Sequence, residues 1–116
     1  MGTRKLETAF WQAYFDVLSR NLHGQSAEIE IAALALGNQV QAEWLPLLGI
    51  SYDPRSEVLS VLLEGLDHMV HHPREIYADE GPAGLHSLLV IDNEGTRQII
   101  RLREPLMLPG PHTAAS

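Results

Sequence analysis

Residues 85–103 read LHSLLVIDNEGTRQIIRLR. Two apolar-rich runs, Leu85 to Ile91 and Thr96 to Arg103, flank the polar tetrapeptide Asp92-Asn93-Glu94-Gly95. A hairpin turn needs a residue with positive φ near its end, and glycine takes that conformation without a Cβ clash. Gly95 stands at that position, so the stretch predicts an antiparallel hairpin. Regular pairing sets Leu85, Ser87, Leu89 and Ile91 against Leu102, Ile100, Gln98 and Thr96 on one face. His86, Leu88 and Val90 then meet Arg101, Ile99 and Arg97 on the other.

The period-two pattern recurs upstream. Ala27, Ile29 and Ile31 alternate with Glu28 and Glu30; Val40, Ala42 and Trp44 alternate with Gln39, Gln41 and Glu43. Each run predicts a strand with one buried face, and Gly37-Asn38 between them is a turn signal. Ala32 to Leu36 is apolar throughout and predicts cover on both faces. Pro46 cannot donate to a ladder and marks a bend or an edge. Leu48, Ile50 and Tyr52 continue as a short strand, Asp53-Pro54-Arg55-Ser56 turns the chain, and Val58 to Leu63 predicts a central strand. Glu75 to Asp79 reads as another short strand and Gly81-Pro82-Ala83-Gly84 as a loop.

The N-terminal pattern is different. Leu6, Phe10, Ala13, Tyr14, Val17, Leu18 and Leu22 recur at three- and four-residue spacing, which predicts an amphipathic helix from Leu6 to Leu22. Trp11 and Phe15 lie beside this stripe and widen it. The expected fold is α+β: this helix packed on a curled antiparallel sheet of five to six strands, a roll or small open barrel in Sm-like or SH3-like element order. Residues 1–104 are expected to form one domain. Pro105, Pro109, Gly110 and Pro111 predict a disordered tail over residues 105–116.

The chain of 116 residues is 45% hydrophobic, enough for a core. No apolar run approaches the ~20 residues needed to cross a bilayer as a helix, and a cytoplasmic location is expected. The absence of cysteine excludes disulfides, thiolate nucleophiles and iron–sulfur clusters. A net charge of −7 disfavours general affinity for nucleic acid or anionic membranes.

Gly65-Leu66-Asp67-His68-Met69-Val70-His71-His72-Pro73-Arg74-Glu75 concentrates the chemistry. As a helical turn, His68, His71 and His72 crowd together, and with Asp67 or Glu75 they would suit a divalent metal. As a strand, His68 and His72 share a side with Leu66 and Val70. The plain alternative is a set of surface residues before a proline turn. No nucleophile elbow or phosphate loop is present, so no catalytic residue and no cofactor is assigned. Arg97, Arg101 and Arg103, with His86 opposite, offer a basic strand face for RNA, or a solvated face paired with carboxylates such as Glu28 or Glu43.

The motifs Ile50-Ser51-Tyr52-Asp53-Pro54, Gly65-Leu66-Asp67-His68, Pro73-Arg74-Glu75-Ile76-Tyr77 and Gly95-Thr96-Arg97-Gln98-Ile99-Ile100 resemble a family of small bacterial proteins known only as a domain of unknown function. The resemblance spans residues 6–103 and implies one compact domain without assigned catalytic residues. The leading functional expectation is a non-enzymatic protein–protein interaction module, self-assembled as a homo-oligomer, with Trp11, Phe15, Trp44 and Leu47 at the interface. A metal or small-ligand protein built on the histidines is the alternative, and an Sm-like RNA-binding module the second.

Overall fold

The computed structural model describes residues 2–33 and 37–108. Its elements are β1 (Gly2–Leu6), a 3-10 turn (Thr8–Phe10), α1 (Trp11–Arg20), β2 (Ser26–Ala33), β3 (Gly37–Asp53), β4 (Val58–Leu63), β5 (Leu66–His71), β6 (Pro73–Gly81), β7 (Gly84–Asp92) and β8 (Arg97–Leu106).

The β7–β8 hairpin forms in a register one residue away from the expected one. The Asp92 N–H donates to the Thr96 carbonyl at 3.1 Å and the Gly95 N–H to the Asp92 carbonyl at 3.0 Å. Asp92 Oδ1 also accepts from the N–H groups of Glu94 and Thr96. The loop is therefore Asn93-Glu94-Gly95, one residue shorter than the expected turn, with Gly95 at φ +82°. Leu88 now faces Ile100 and Val90 faces Gln98, while Leu89 faces Ile99 and Ile91 faces Arg97. A one-residue change of register exchanges the faces that meet.

All strand pairs are antiparallel, and the eight strands form one open sheet in the order β1-β6-β7-β8-β2-β3-β4-β5. This overturns the expected α+β architecture of a packed amphipathic helix on five to six strands, and with it the Sm-like and SH3-like comparison. The N-terminal segment supplies a strand where helix was expected to begin: β1 pairs with β6, and its last residue, Leu6, is buried. The helix is only ten residues long. It buries Trp11, Phe15 and Leu18, whereas Phe10 is 65% exposed. The buried stripe is thus rotated by one position, about 100° of helix, from the one expected. The large aromatics decide this: the Trp11 indole N–H donates to the Leu6 carbonyl and its ring meets Tyr52 edge-on.

Pro46 does not end a strand. β3 runs for 17 residues, paired with β2 through Pro46 and with β4 from Leu47 onward. The bend is made by bulges at Gln41 and at Glu43-Trp44, where Trp44 has φ +51°, and by a third at Leu48.

The sheet folds back over its own core. β5 and β8 stand four places apart in the strand order, about 19 Å in a flat sheet with strands ~4.8 Å apart. Yet the His68 Nε2–H on β5 reaches the Gln98 side-chain carbonyl on β8 at 2.5 Å. Such contact requires strong curling. Ile29, Ile50, Leu59, Val61, Ile76, Leu88, Val90 and Ile100 are fully buried within it.

β8 runs past residue 104: it includes Pro105 and Leu106, and Leu106 is buried. Pro105 sits in the bulge between the pairs Leu85–Leu106 and Ser87–Arg101, where a missing N–H is tolerated. Gly84, at φ +120°, packs so closely that a Cβ there would lie 2.4 Å from the Leu106 carbonyl oxygen. The rest of the expected tail, residues 109–116, and the apolar positions 34–36 lie outside the described residues.

Candidate functional site

Strand alternation gives the sheet a second face, turned away from the core. Where Ile76, Ala78, Leu88, Val90 and Ile100 point inward, Tyr77, Leu89, Ile91 and Ile99 point outward. The register aligns Lys5, Tyr77, Leu89, Ile99 and Glu30 in one row across five strands. The neighbouring row holds Glu75, Ile91, Arg97 and Ala32. Tyr77, Leu89 and Ile99 are half-buried by their neighbours alone. A shallow, open groove of about 460 Å³ lies over this face, floored by Leu89 and Ile91 and bordered by Thr3, Arg74, Tyr77 and Arg97.

Charge is organised around the apolar row. The Tyr77 hydroxyl donates to Glu75 at 2.5 Å, with Lys5 at 3.8 Å and Arg74 at 3.5 Å from the same carboxylate. The Tyr77 hydrogen bond, helped by the two cations, holds the Glu75 carboxyl below its usual range, and the same bond raises the Tyr77 phenol. At the other side Arg101 Nη1 lies 3.1 Å from Glu28 and 2.8 Å from Glu30. Asn38 also donates to Glu30. Arg101 and Asn38 together hold Glu30 below the usual carboxylate range.

The structure places the sequence-derived candidates elsewhere. Residues 66–71 are strand, so Asp67 and His68 point to opposite faces and cannot act as a dyad. His68 turns inward to Gln98, while His71 is exposed. His72, at φ +54°, forms the corner into β6, and its Nδ1 is 3.4 Å from Glu57. Glu75 belongs to the outer face with Tyr77. Among the described residues no group of three His, Cys, Asp or Glu side chains is placed to hold a metal ion. Of the basic strand face, Arg101 is engaged by Glu28 and Glu30, and Arg103 lies over the Trp44 ring at 5.8 Å. Trp11, Phe15 and Leu47 fill the core; of the four residues expected at an interface, only Trp44 is partly exposed. The outer row was missed because its members come from five separate stretches and meet only through register.

These features define a small, all-antiparallel open-sheet protein with one short helix and a half-apolar outer face. Residues 2–111 match the family described as "Family of unknown function (DUF5335)", and the chain belongs to it. It is similar to a protein named "Uncharacterized protein" from Aquifex aeolicus (strain VF5), 39% identical over 110 residues, covering 94% of this chain and 99% of that one. The resemblance carried by the four short motifs is thereby shown. No solved structure matches. Among the described residues no helix is long and apolar enough to cross a membrane.

Proposed function

We propose that the protein is a non-enzymatic interaction module that works as a homo-oligomer, with the outer face of its sheet as the contact surface. The observation that carries this reading is the row Tyr77–Leu89–Ile99, an apolar strip on the face opposite the core. An antiparallel sheet exposed to water on one side normally alternates to polar residues there. Three large side chains in register, each left partly exposed, depart from that pattern and support a partner surface there. The ends of the row carry opposite charge, Lys5 and Glu30. Two copies related by a two-fold axis through its centre set each Lys5 toward the other copy's Glu30, as an isologous contact requires. The groove is open and shallow, a shape that suits a protein surface better than an enclosed small-molecule site.

Native mass spectrometry of the full chain across a concentration series tests the reading. The expected mass is a multiple of 12.9 kDa, and Leu89→Lys lowers it while leaving the circular dichroism unchanged. A wild-type protein that stays at one chain throughout refutes self-assembly, and an assembly indifferent to Leu89→Lys removes the outer face from it.

A further inference from the structure

The sheet ends in two edge strands, and they are not alike. β1 closes one end and carries Arg4 and Lys5. Basic side chains on an edge discourage pairing with another chain. β5 closes the other end with Leu66-Asp67-His68-Met69-Val70-His71. It pairs with β4 in one unbroken register, without a bulge. The His72 N–H donates to the Glu57 carbonyl at 2.8 Å, and hydrogen-bonded pairs alternate along an antiparallel ladder. Leu66, His68 and Val70 therefore bond to β4, and the N–H and C=O groups of Asp67, Met69 and His71 point out of the edge. Among the described residues no backbone hydrogen bond outside the β4 ladder reaches those three. The strand is held from within: Val70 is buried and His68 is tied to Gln98.

The side chains of Asp67, Met69 and His71 share the exposed face of β5, so an acid and an imidazole stand symmetrically about Met69. We infer that this edge of β5 pairs with the same edge of a second copy, antiparallel about a two-fold axis at Met69, so that one sheet runs through both chains. The second copy is the occupant because the stretch complements itself. Asp67 meets His71 at each end, Met69 meets Met69 on the axis, and His68 meets Val70 on the inner side. Both members of every pair lie on one face, as a ladder requires. A histidine ring N–H donates to a carboxylate in either protonation state. No like charges oppose, which matters in a chain of net charge −7. An axis at His68 or Val70 leaves one of the three open residues without a partner, and an axis at Asp67 sets carboxylate against carboxylate. At the β1 edge a two-fold at Arg4 would set arginine against arginine. The contact covers Met69, 43% exposed in the single chain, beside Val58 and Leu62 on the same face of β4. β5 stands three places beyond β2, where the outer apolar row ends, so this interface is separate from the outer face and does not rest on it.

The cysteine-free chain allows a clean test. Opposed residues of an antiparallel pair have Cα atoms about 4.5–5.5 Å apart, within disulfide reach. Under mild oxidation Met69→Cys is expected to become a covalent dimer nearly completely. Ser51→Cys, exposed on β3 two strands back from the edge, is expected to stay uncrosslinked. His71→Asp opposes two carboxylates at both ends of the contact and is expected to weaken the dimer at least tenfold in sedimentation equilibrium. Asp67→Lys added to the same chain is expected to restore it. Within one chain the two positions lie roughly 13 Å apart along the strand, so the rescue arises only between copies. Met69→Cys crosslinking no faster than Ser51→Cys, or a double variant as weak as His71→Asp alone, overturns the edge pairing. If the wild type still assembles in that case, the outer-face reading survives. With Leu89→Lys in the same chain Met69→Cys is expected to crosslink equally well, and loss of the crosslink there overturns the edge as an interface of its own.

Discussion

On the inner face of β6, β7 and β8, Ile76, Ala78, Leu88, Val90 and Ile100 are wholly buried. On the outer face of the same three strands, Tyr77, Leu89 and Ile99 are only half-buried. The side chains are of the same kind, and residues 99 and 100 are both isoleucine. What separates them is the direction in which the sheet curls. The inner face is closed by the common core and by β5, which reaches it through His68, whereas on the outer face of these strands only Ile91 is buried. The core is thus defined by curvature and register and not by hydrophobicity alone.

The largest test of this comparison truncates the two isoleucines in turn. Ile100→Ala empties a site closed on all sides and is expected to cost about 2–5 kcal/mol in denaturant unfolding. Ile99→Ala removes contacts already shared with water and is expected to cost roughly 1 kcal/mol in the isolated chain. Equal losses would mean that the outer row is already packed within the monomer. If Ile99→Ala cost more at high protein concentration than at low, the comparison would sharpen, because the outer face would then be buried by assembly.

A smaller effect is expected where the inner face admits polarity. Gln98 is the one buried polar side chain among the described residues, and it ties β8 to His68 across the core. Gln98→Ala leaves the His68 ring N–H without its partner and is expected to cost about 1–3 kcal/mol. Gln98→Leu combined with His68→Leu replaces both partners by apolar groups and is expected to recover most of that loss. A double variant as unstable as Gln98→Ala alone would show that the position, and not the unpaired donor, carries the cost.

The faces within β7 and β8 were legible in the sequence; the way they meet was not. On β3 the expected common face of Val40, Ala42 and Trp44 is broken by bulges, which leave Val40 exposed and Ala42 buried. Leu88 and Val90 do share one side of β7, as Arg97, Ile99 and Arg101 share one side of β8. The turn between them closes on Asp92 and Thr96, and that difference of one residue joins Leu88 to Ile100 where Ile99 was expected. The helix shows the same kind of displacement. Its spacing is visible, but Trp11 and Phe15 outweigh Phe10 and Tyr14 in choosing the buried side. β1 had no readable signal, because Gly2-Thr3-Arg4-Lys5 neither alternates nor carries apolar weight, and only pairing with β6 makes it a strand. The histidine cluster dissolved because its geometry depended on helix or strand, and strand alternation divides it. The outer row could not be read at all, since Lys5, Tyr77, Leu89, Ile99 and Glu30 are neighbours only after every register is fixed.

The smallest expected effect separates the faces by pH. Glu30 on the outer face is held below its ordinary value of 4.5 chiefly by the hydrogen bond from Arg101. A carboxyl whose pKa is depressed by folding stabilises the protein above its unfolded pKa, and that contribution is lost as the pH falls through the folded value. The Arg101 cluster is partly exposed, so solvent and salt screen it and the effect is small. Arg101→Met is therefore expected to lower the thermal midpoint at neutral pH, and the difference from wild type is expected to shrink on acidification below about pH 4.5, where Glu30 is protonated in both unfolded chains and progressively so in the folded ones. Ile100→Ala removes packing that no proton touches, so its deficit is expected to stay constant over the same range. A deficit for Arg101→Met that is equally flat would mean that the arginine acts through its aliphatic stem on the sheet and not through its charge.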